Sequence, residues 1–533
     1  MASAPVNLLR LARAGLVFAQ HGVSLVPKGI KAPAILYLAR AMTLPIRIVM
    51  WPFHVRDNPK ARVAAALTRL GPSYIKLGQF LATRGDLIGP AMSQDLAHLQ
   101  DKLPPFSMTE ARKAIEESLG GKLADLFVAF GPPVAAASIA QVHKATVIDD
   151  GTQRDVAVKV LRPDVERRFY ADLDSYAFAA RLIERFHPPA RRLKPTAVVD
   201  NLKRTTDLEM DLRLEAAAIS EMAENIKGDP GFRVPAVDWK RTSRRVLAIE
   251  WIDGIPIADR ARLVAEGHDP KALGMTVLRS FLRHAMRDGF FHADMHQGNL
   301  LVDADGTVVA VDFGIMGRLG TKERRFLAEI LHGLITRDYR RAAEVHFWAG
   351  YVPPHHAIET FAQALRAIGE PIHGRTAEEI SMADLLGQLF AYTEVFDMET
   401  RPELILLQKS MVIVEGVARS LDPSLNMWVA AEPIAREWVE ANLGLSGRLK
   451  EAGEGAGMAG RLLAEAPRLL EQAEGTANAL AQMARTGIRL DQATVKRLAE
   501  ARHEADRGRL LPWVIAALAV AAAVAAVGGY WPF

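Results

Sequence analysis

The stretch FFHADMHQGNLLVDADGTVVAVDFG, residues 290–314, constrains this chain more than any other. Asp294 precedes Asn299 by five residues, and Asp312 follows Asn299 by thirteen, inside the triplet Asp312-Phe313-Gly314. The carboxamide of Asn299 and the carboxylate of Asp312 are hard oxygen donors of the kind that hold magnesium. At this spacing Asp294 is the residue expected to orient or deprotonate an attacking hydroxyl or water. His292 and His296 also stand four apart, as in a helical metal pair, but no Glu stands beside His292, and zinc is not the expectation here.

These are the spacings of the catalytic and metal loops of protein kinases. Three upstream segments come in the order that such a site needs. In GPPVAAASIAQVHKA, residues 131–145, Val142 can be set on the valine of a G-x-G-x-x-G-x-V phosphate loop. Ala135, Ala137 and Ala140 then take the glycine positions, with Ala136, Ser138, Ile139 and Gln141 between them. Alanine is small enough for backbone amides to approach phosphate, though it restricts the backbone more than glycine. Next comes Lys159 in the strand-like run DVAVKVLRP, where an unpaired ammonium would be costly to bury. The acidic segment DLEMDLRLEAAA follows; Asp211 and Glu215 share a helix face four residues apart, Glu209 points elsewhere, and Glu215 is the expected partner of Lys159. Taken singly, these segments read as a small-residue turn, a snorkelling lysine and a solvated acidic face. Together and in this order they read as a site for ATP and Mg2+.

The rest of the chain sets the context. It has 533 residues, half of them hydrophobic, no cysteine and a net charge of +4. Thiolate chemistry and disulfides are excluded, and so small a net charge gives no reason to expect nucleic acid as a partner. Residues 1–55 are apolar with scattered arginines and suit either a membrane interface or packing on the body of the protein. Residues 56–125 read as helical, with a break at Gly71-Pro72 and a new helix from Ser73. Strands are expected around 155–163 and 244–254, and one helical pattern spans 198–226. Residues 510–533 contain no charged side chain, and as a helix would extend ~36 Å against a bilayer core of ~30 Å. Trp513, Tyr530 and Trp531 are placed like interfacial aromatics, and Arg507 and Arg509 put the preceding chain on the cytoplasmic side.

The sequence resembles the UbiB family of atypical kinase-like proteins, which support ubiquinone biosynthesis. The resemblance covers residues 5–440. GPSYIKLGQFLATRGDL carries the K-x-G-Q signature as Lys76, Gly78 and Gln79; AAASIAQVHKA is the alanine-rich loop; Glu209-Met210-Asp211 fits the E-x-D element; HADMHQGNLLV and LLQKSMVIVEGVARSLDP fit as well. The resemblance implies a helical element folded over the active site, with Lys76 and Gln79 reaching into the nucleotide pocket and Glu209 and Asp211 balancing the Lys76 charge. Two departures from ordinary kinases stand out. His296 occupies the usual position of a lysine two residues after the catalytic aspartate, and no A-P-E element follows Asp312.

The expectation is therefore an α+β, protein-kinase-like two-lobed fold with an N-terminal helical extension and a C-terminal transmembrane helix. The expected segments are 1–55, a helical extension 56–125, an N-lobe 126–255, a helical C-lobe 256–444, a linker 445–509 and the anchor 510–533. The expected activity is an ATPase, or a kinase of a small or lipid-like acceptor, at the bacterial inner membrane. The resemblance makes membrane lipid, ubiquinone-biosynthesis enzymes and polyprenyl-phenol intermediates the partners. A protein kinase acting on enzymes of that pathway, and a non-catalytic scaffold that binds ATP, are the alternatives.

Overall fold

The computed structural model describes residues 3–21, 62–82, 103–186, 194–373 and 402–443, with a few isolated positions between these segments. The expected linker and membrane anchor lie outside the described residues, as do residues 22–55 of the apolar N-terminal segment. No helix among the described residues is long and apolar enough to cross a membrane. The chain divides into residues 1–442 and 443–533, and the elements below belong to the first unit, the last of them ending at Leu443.

Among the described residues, the first helices are α1 (Ala4–Gln20), α2 (Arg62–Leu70) and α3 (Pro72–Ala82). Gly71, at φ +110°, ends α2, and Pro72 starts α3 one residue before the expected position, because its fixed φ suits a first helical turn. A capping box opens α4 (Met108–Leu119): the Ser107 hydroxyl accepts from the Glu110 N–H, and the Glu110 carboxylate accepts from the Ser107 N–H. The short α5 (Leu123–Leu126) leads into β1 (Ala129–Ala136), β2 (Ala140–Asp149) and β3 (Thr152–Leu161). Asp150 and Gly151 both take positive φ, the backbone a two-residue hairpin needs, and so fix the β2–β3 register from Asp149–Thr152 to Ala140–Leu161.

Long α6 (Val165–Phe186) receives the N-terminal helices. Arg10 donates to the Ala171 carbonyl at 2.7 Å, Ser73 donates to Asp172, and the Tyr74 and Tyr176 rings meet edge-on at 5.2 Å. Next come α7 (Pro195–Glu209) and α8 (Leu212–Asn225). The single helical pattern expected over 198–226 is therefore broken. The Arg244 carbonyl accepts the Leu212 N–H at 2.9 Å, and Asp211 leaves helical geometry to cap α8 through the Arg213 N–H at 3.1 Å. Apolar spacing alone does not register such a break, since Leu208 and Leu212 keep helical phase across it.

The edge strand β4 (Phe232–Arg233) precedes β5 (Val246–Glu250), which completes a four-stranded antiparallel sheet in the order β1-β2-β3-β5. Alternation along β3 decides what this sheet presents. Val156, Val158 and Val160 are buried on one face with Ile115 and Phe127, so Lys159 faces the other way.

The remaining described residues are mainly helical. They comprise β6 (Ile255–Pro256), α9 (Arg260–Ala265), α10 (Pro270–Arg283), β7 (Phe290–His292), β8 (Leu300–Val302), β9 (Val308–Ala310) and β10 (Met316–Arg318). Then follow α11 (Thr321–Ile335), α12 (Tyr339–Trp348), α13 (Ile358–His373), α14 (Pro402–Leu421) and α15 (Met427–Leu443). β8 and β9 form a hairpin between β6 and β4, and β7 pairs with β10. The chain passes from β10 into α11 within three residues, so no peptide-docking element intervenes. α14 packs along α10 and braces the catalytic loop: Ser410 donates to the Ala293 carbonyl at 3.1 Å, and Gln297 donates to Ser420 at 2.6 Å. One apolar core runs from Ile75 through Phe169, Leu212 and Phe281 to Val414.

Candidate active site

Lys159, Glu215 and Asp312 come from β3, α8 and the loop after β9, and they meet. The Lys159 ammonium donates to both Glu215 oxygens at 2.8 and 2.9 Å and lies 3.4 Å from Asp312 Oδ1. Glu215 also accepts the Phe313 N–H at 3.3 Å, so the acidic helix is tied directly to the Asp-Phe-Gly turn. Burial alone would favour a neutral Lys159, but the charges of Asp312 and Glu215 outweigh it and raise its pKa. Burial pushes the Glu215 carboxyl up, against the pull of Lys159. Asp312 is also penalised by its surroundings, yet the Lys159 charge and the Gly314 N–H, at 3.0 Å from its carboxylate, hold it ionised well below the usual range.

The catalytic loop is set by His292. Its Nε2–H donates to the Asp312 carbonyl, and its Nδ1 accepts the Asp294 N–H at 3.1 Å. Those two bonds require the neutral ring, and burial lowers its pKa accordingly. With both nitrogens engaged, His292 has none left for a metal. Asn299 Nδ2 donates to the Asp294 carbonyl at 3.1 Å, which leaves its side-chain oxygen as the available donor atom. The Asp294 carboxylate is partly exposed, with His296 Nε2 at 3.7 Å in the place of the usual lysine. The side-chain oxygen of Asn299 and the ionised, half-exposed Asp312 carboxylate are hard donors that fit Mg2+.

The alanine run splits in two. Ala135, Ala136 and Ala137 are accessible, whereas Ser138, Ile139, Ala140 and Gln141 are buried. The turn is closed by the Ala137 N–H on the Ala140 carbonyl at 2.8 Å. No residue from 135 to 142 has positive φ, which is why alanine can stand where glycine was expected. The Gln141 side chain is turned inward, where it accepts the Phe106 N–H at 2.9 Å and contacts His143. Val142 is opposite Lys159 in the ladder and shares its face. Sequence reasoning missed Arg162. Its guanidinium donates to the Ala137 carbonyl at 2.9 and 3.1 Å and to the Pro104 carbonyl at 2.8 Å, clamping the loop to the N-terminal extension. The hydrogen bonds that clamp the loop end on backbone carbonyls, which no side-chain pattern signals.

Lys76 pairs with Glu209 at 2.7 Å, and its charge also acts on Asp312. The E-x-D element does not serve Lys76 as a pair, because Asp211 is bound to Arg213 at 2.6 Å. Gly78 is a packing residue: a Cβ there would stand 2.6 Å from Leu67 and 2.7 Å from Leu99. Gln79 is half-buried on the same helix.

A lysine–glutamate pair over an Asp-Phe-Gly turn, joined to a bracing helical region in place of a peptide platform, defines an atypical kinase-like protein. Residues 98–346 match the ABC1 atypical kinase-like domain and residues 365–426 the UbiB helical domain. The chain belongs to the UbiB family. A "Probable protein kinase UbiB" of Marinobacter nauticus is 40% identical over 416 residues, 76% of each chain. One of Xanthomonas campestris is 39% identical over 444 residues, 80% of this chain and 78% of the relative. One of Xylella fastidiosa is 38% identical over 451 residues, 83% and 80% of the two chains.

Proposed function

We propose that this chain is a membrane-associated, Mg-ATP-dependent ATPase, or a kinase of a small or lipid-like acceptor, that supports ubiquinone biosynthesis by handling polyprenyl-phenol intermediates. The observation that carries the reading is the convergence of Lys159, Glu215 and Asp312, with the Lys159 ammonium 3.4 Å from Asp312. Lys159 supplies a fixed positive charge for the nucleotide phosphates, and Glu215 holds it in place. Asn299 and Asp312 would hold Mg2+, which neutralises phosphate charge when bound. Asp294 orients the attacking hydroxyl or water and accepts its proton. The direct passage from β10 to α11 favours a small or lipid acceptor over a polypeptide. Membrane association rests on the uncharged run 510–533.

A protein kinase is the second reading, favoured by the name that the relatives carry. Nucleotide turnover by the purified full chain, with and without anionic vesicles and with pathway enzymes present, separates the two. Phosphate release stimulated by vesicles or phenolic head groups, lost in D312N and with no phosphoprotein formed, is the expected result. A phosphorylated partner enzyme would favour the second reading. No uptake of Mg-ATP at all would refute both.

A further inference from the structure

A second chemistry-bearing cluster lies away from the nucleotide cleft, on the separate apolar cluster built around Tyr339, Phe361 and Phe396. His355 and His356 occupy the turn before α13, and Asp397 stands some forty residues further on, in the turn after Tyr392 and Val395. His355 Nε2 is 3.4 Å from Asp397 Oδ2, and His356 Nε2 is 3.3 Å from the same oxygen. The three ligating atoms lie within 4.8 Å of one another.

His356 Nε2 is within long hydrogen-bond reach of that oxygen, and the His355 contact is longer still. Two imidazole nitrogens converging on one carboxylate oxygen is also the arrangement that a shared metal needs. Zinc bonds to imidazole nitrogen and carboxylate oxygen of about 2.0–2.1 Å, at a tetrahedral angle, place neighbouring ligand atoms about 3.3–3.4 Å apart.

The cluster also has a firm mount. Phe396, next to Asp397, is buried, with its ring 5.3 Å from His356 and 4.9 Å from the fully buried Phe361. The Pro353 carbonyl accepts the His356 N–H at 3.2 Å and closes the histidine turn. Asp397 takes φ +48°, an uncommon conformation for a residue with a side chain. Two imidazoles and one carboxylate suit a borderline divalent ion rather than Mg2+, which prefers oxygen throughout. His355 and Asp397 are mostly exposed, so an ion can enter from solvent and keep a water as its fourth ligand.

We infer that His355, His356 and Asp397 form a site for a divalent transition metal of the zinc class, separate from Asn299 and Asp312. The test is a calorimetric titration of Zn2+ into untagged, metal-free full-length protein, with excess Mg2+ occupying the hard-oxygen ligands. One saturable site per chain is expected, weakened about tenfold or more in H355Q and in D397N. Co2+ in its place should give the visible absorption of a four-coordinate centre, and both variants should lose it. Both substitutions are at exposed positions, and retained ATP binding verifies their folding. No saturable Zn2+ uptake by the wild type, or uptake unchanged in H355Q and D397N, overturns the assignment.

Discussion

At the scale of single residues, the site depends on charges that are buried together. Lys159→Met leaves Glu215 beside Asp312 without its cation, and removes the positive charge meant for phosphate. ATP turnover is expected to fall ~10²–10³-fold, the range for removal of one transition-state charge contact, as read by single-turnover phosphate release. The alanine loop gives a milder case. Since no residue of the loop has positive φ, Ala137→Gly relieves no strain and adds only backbone freedom. A stability cost of ~0.4–1 kcal/mol is expected, with the fold intact and nucleotide affinity or choice altered. ATP and ADP affinities unchanged from wild type would count against the loop's role.

At the scale of elements, single positions decide how two neighbours join. The junction of α7 and α8 separates the Lys76 partner, Glu209, from the Lys159 partner, Glu215, and Asp211 caps the second helix. Asp211→Ala should cost ~1 kcal/mol in denaturant unfolding, while Asp211→Asn, which keeps a capping oxygen, should cost much less. Equal losses in the two variants would mean that the Arg213 ion pair, and not the cap, matters. The β7–β10 pair has a stricter requirement. Gly317 lies opposite the buried Phe291, and a Cβ there would come within 2.1 Å of that ring. Gly317→Ala should therefore destabilise by ~1–3 kcal/mol and disturb the strand that leads into the catalytic loop. A wild-type unfolding midpoint would show that the ring can move aside.

Across the whole molecule, buried neutral histidines set the pH response. Burial lowers His284 to about 3, with Asp229 opposing, and lowers His346 to about 4; His292 is lowered for the same reason. In the unfolded chain these rings titrate near 6.5. Below that pH the unfolded state takes up protons that the fold refuses, so stability falls as pH drops from 6.5 towards about 4 and is flat above. Each histidine contributes a slope of up to ~1.4 kcal/mol per pH unit in that window. Denaturant midpoints between about pH 7 and about pH 5 measure it. His346→Gln, which removes a titrating ring and keeps a donor for the Ala342 carbonyl, should flatten the dependence. An unchanged slope in that variant would assign the effect to other groups.

By itself the sequence determined what is local and chemical. Hard oxygens at the spacing of Asn299 and Asp312, a lysine in an apolar strand and the glycine and proline at 71–72 follow from residue type and short-range geometry. They gave the kinase-like α+β class, the strands around Lys159 and Val246, and Glu215 as the lysine's partner. The tertiary structure alone decided what depends on backbone groups meeting across the fold. It broke the helical pattern at Asp211 because the Arg244 carbonyl arrives there. It turned Gln141 inward towards Phe106, and it brought Arg162 onto the Ala137 carbonyl. It paired Lys76 with Glu209 of the E-x-D element and committed Asp211 to Arg213. Apolar periodicity records which face of an element is buried, but a carbonyl oxygen looks the same in every residue, so the sequence cannot say which side chain will reach it.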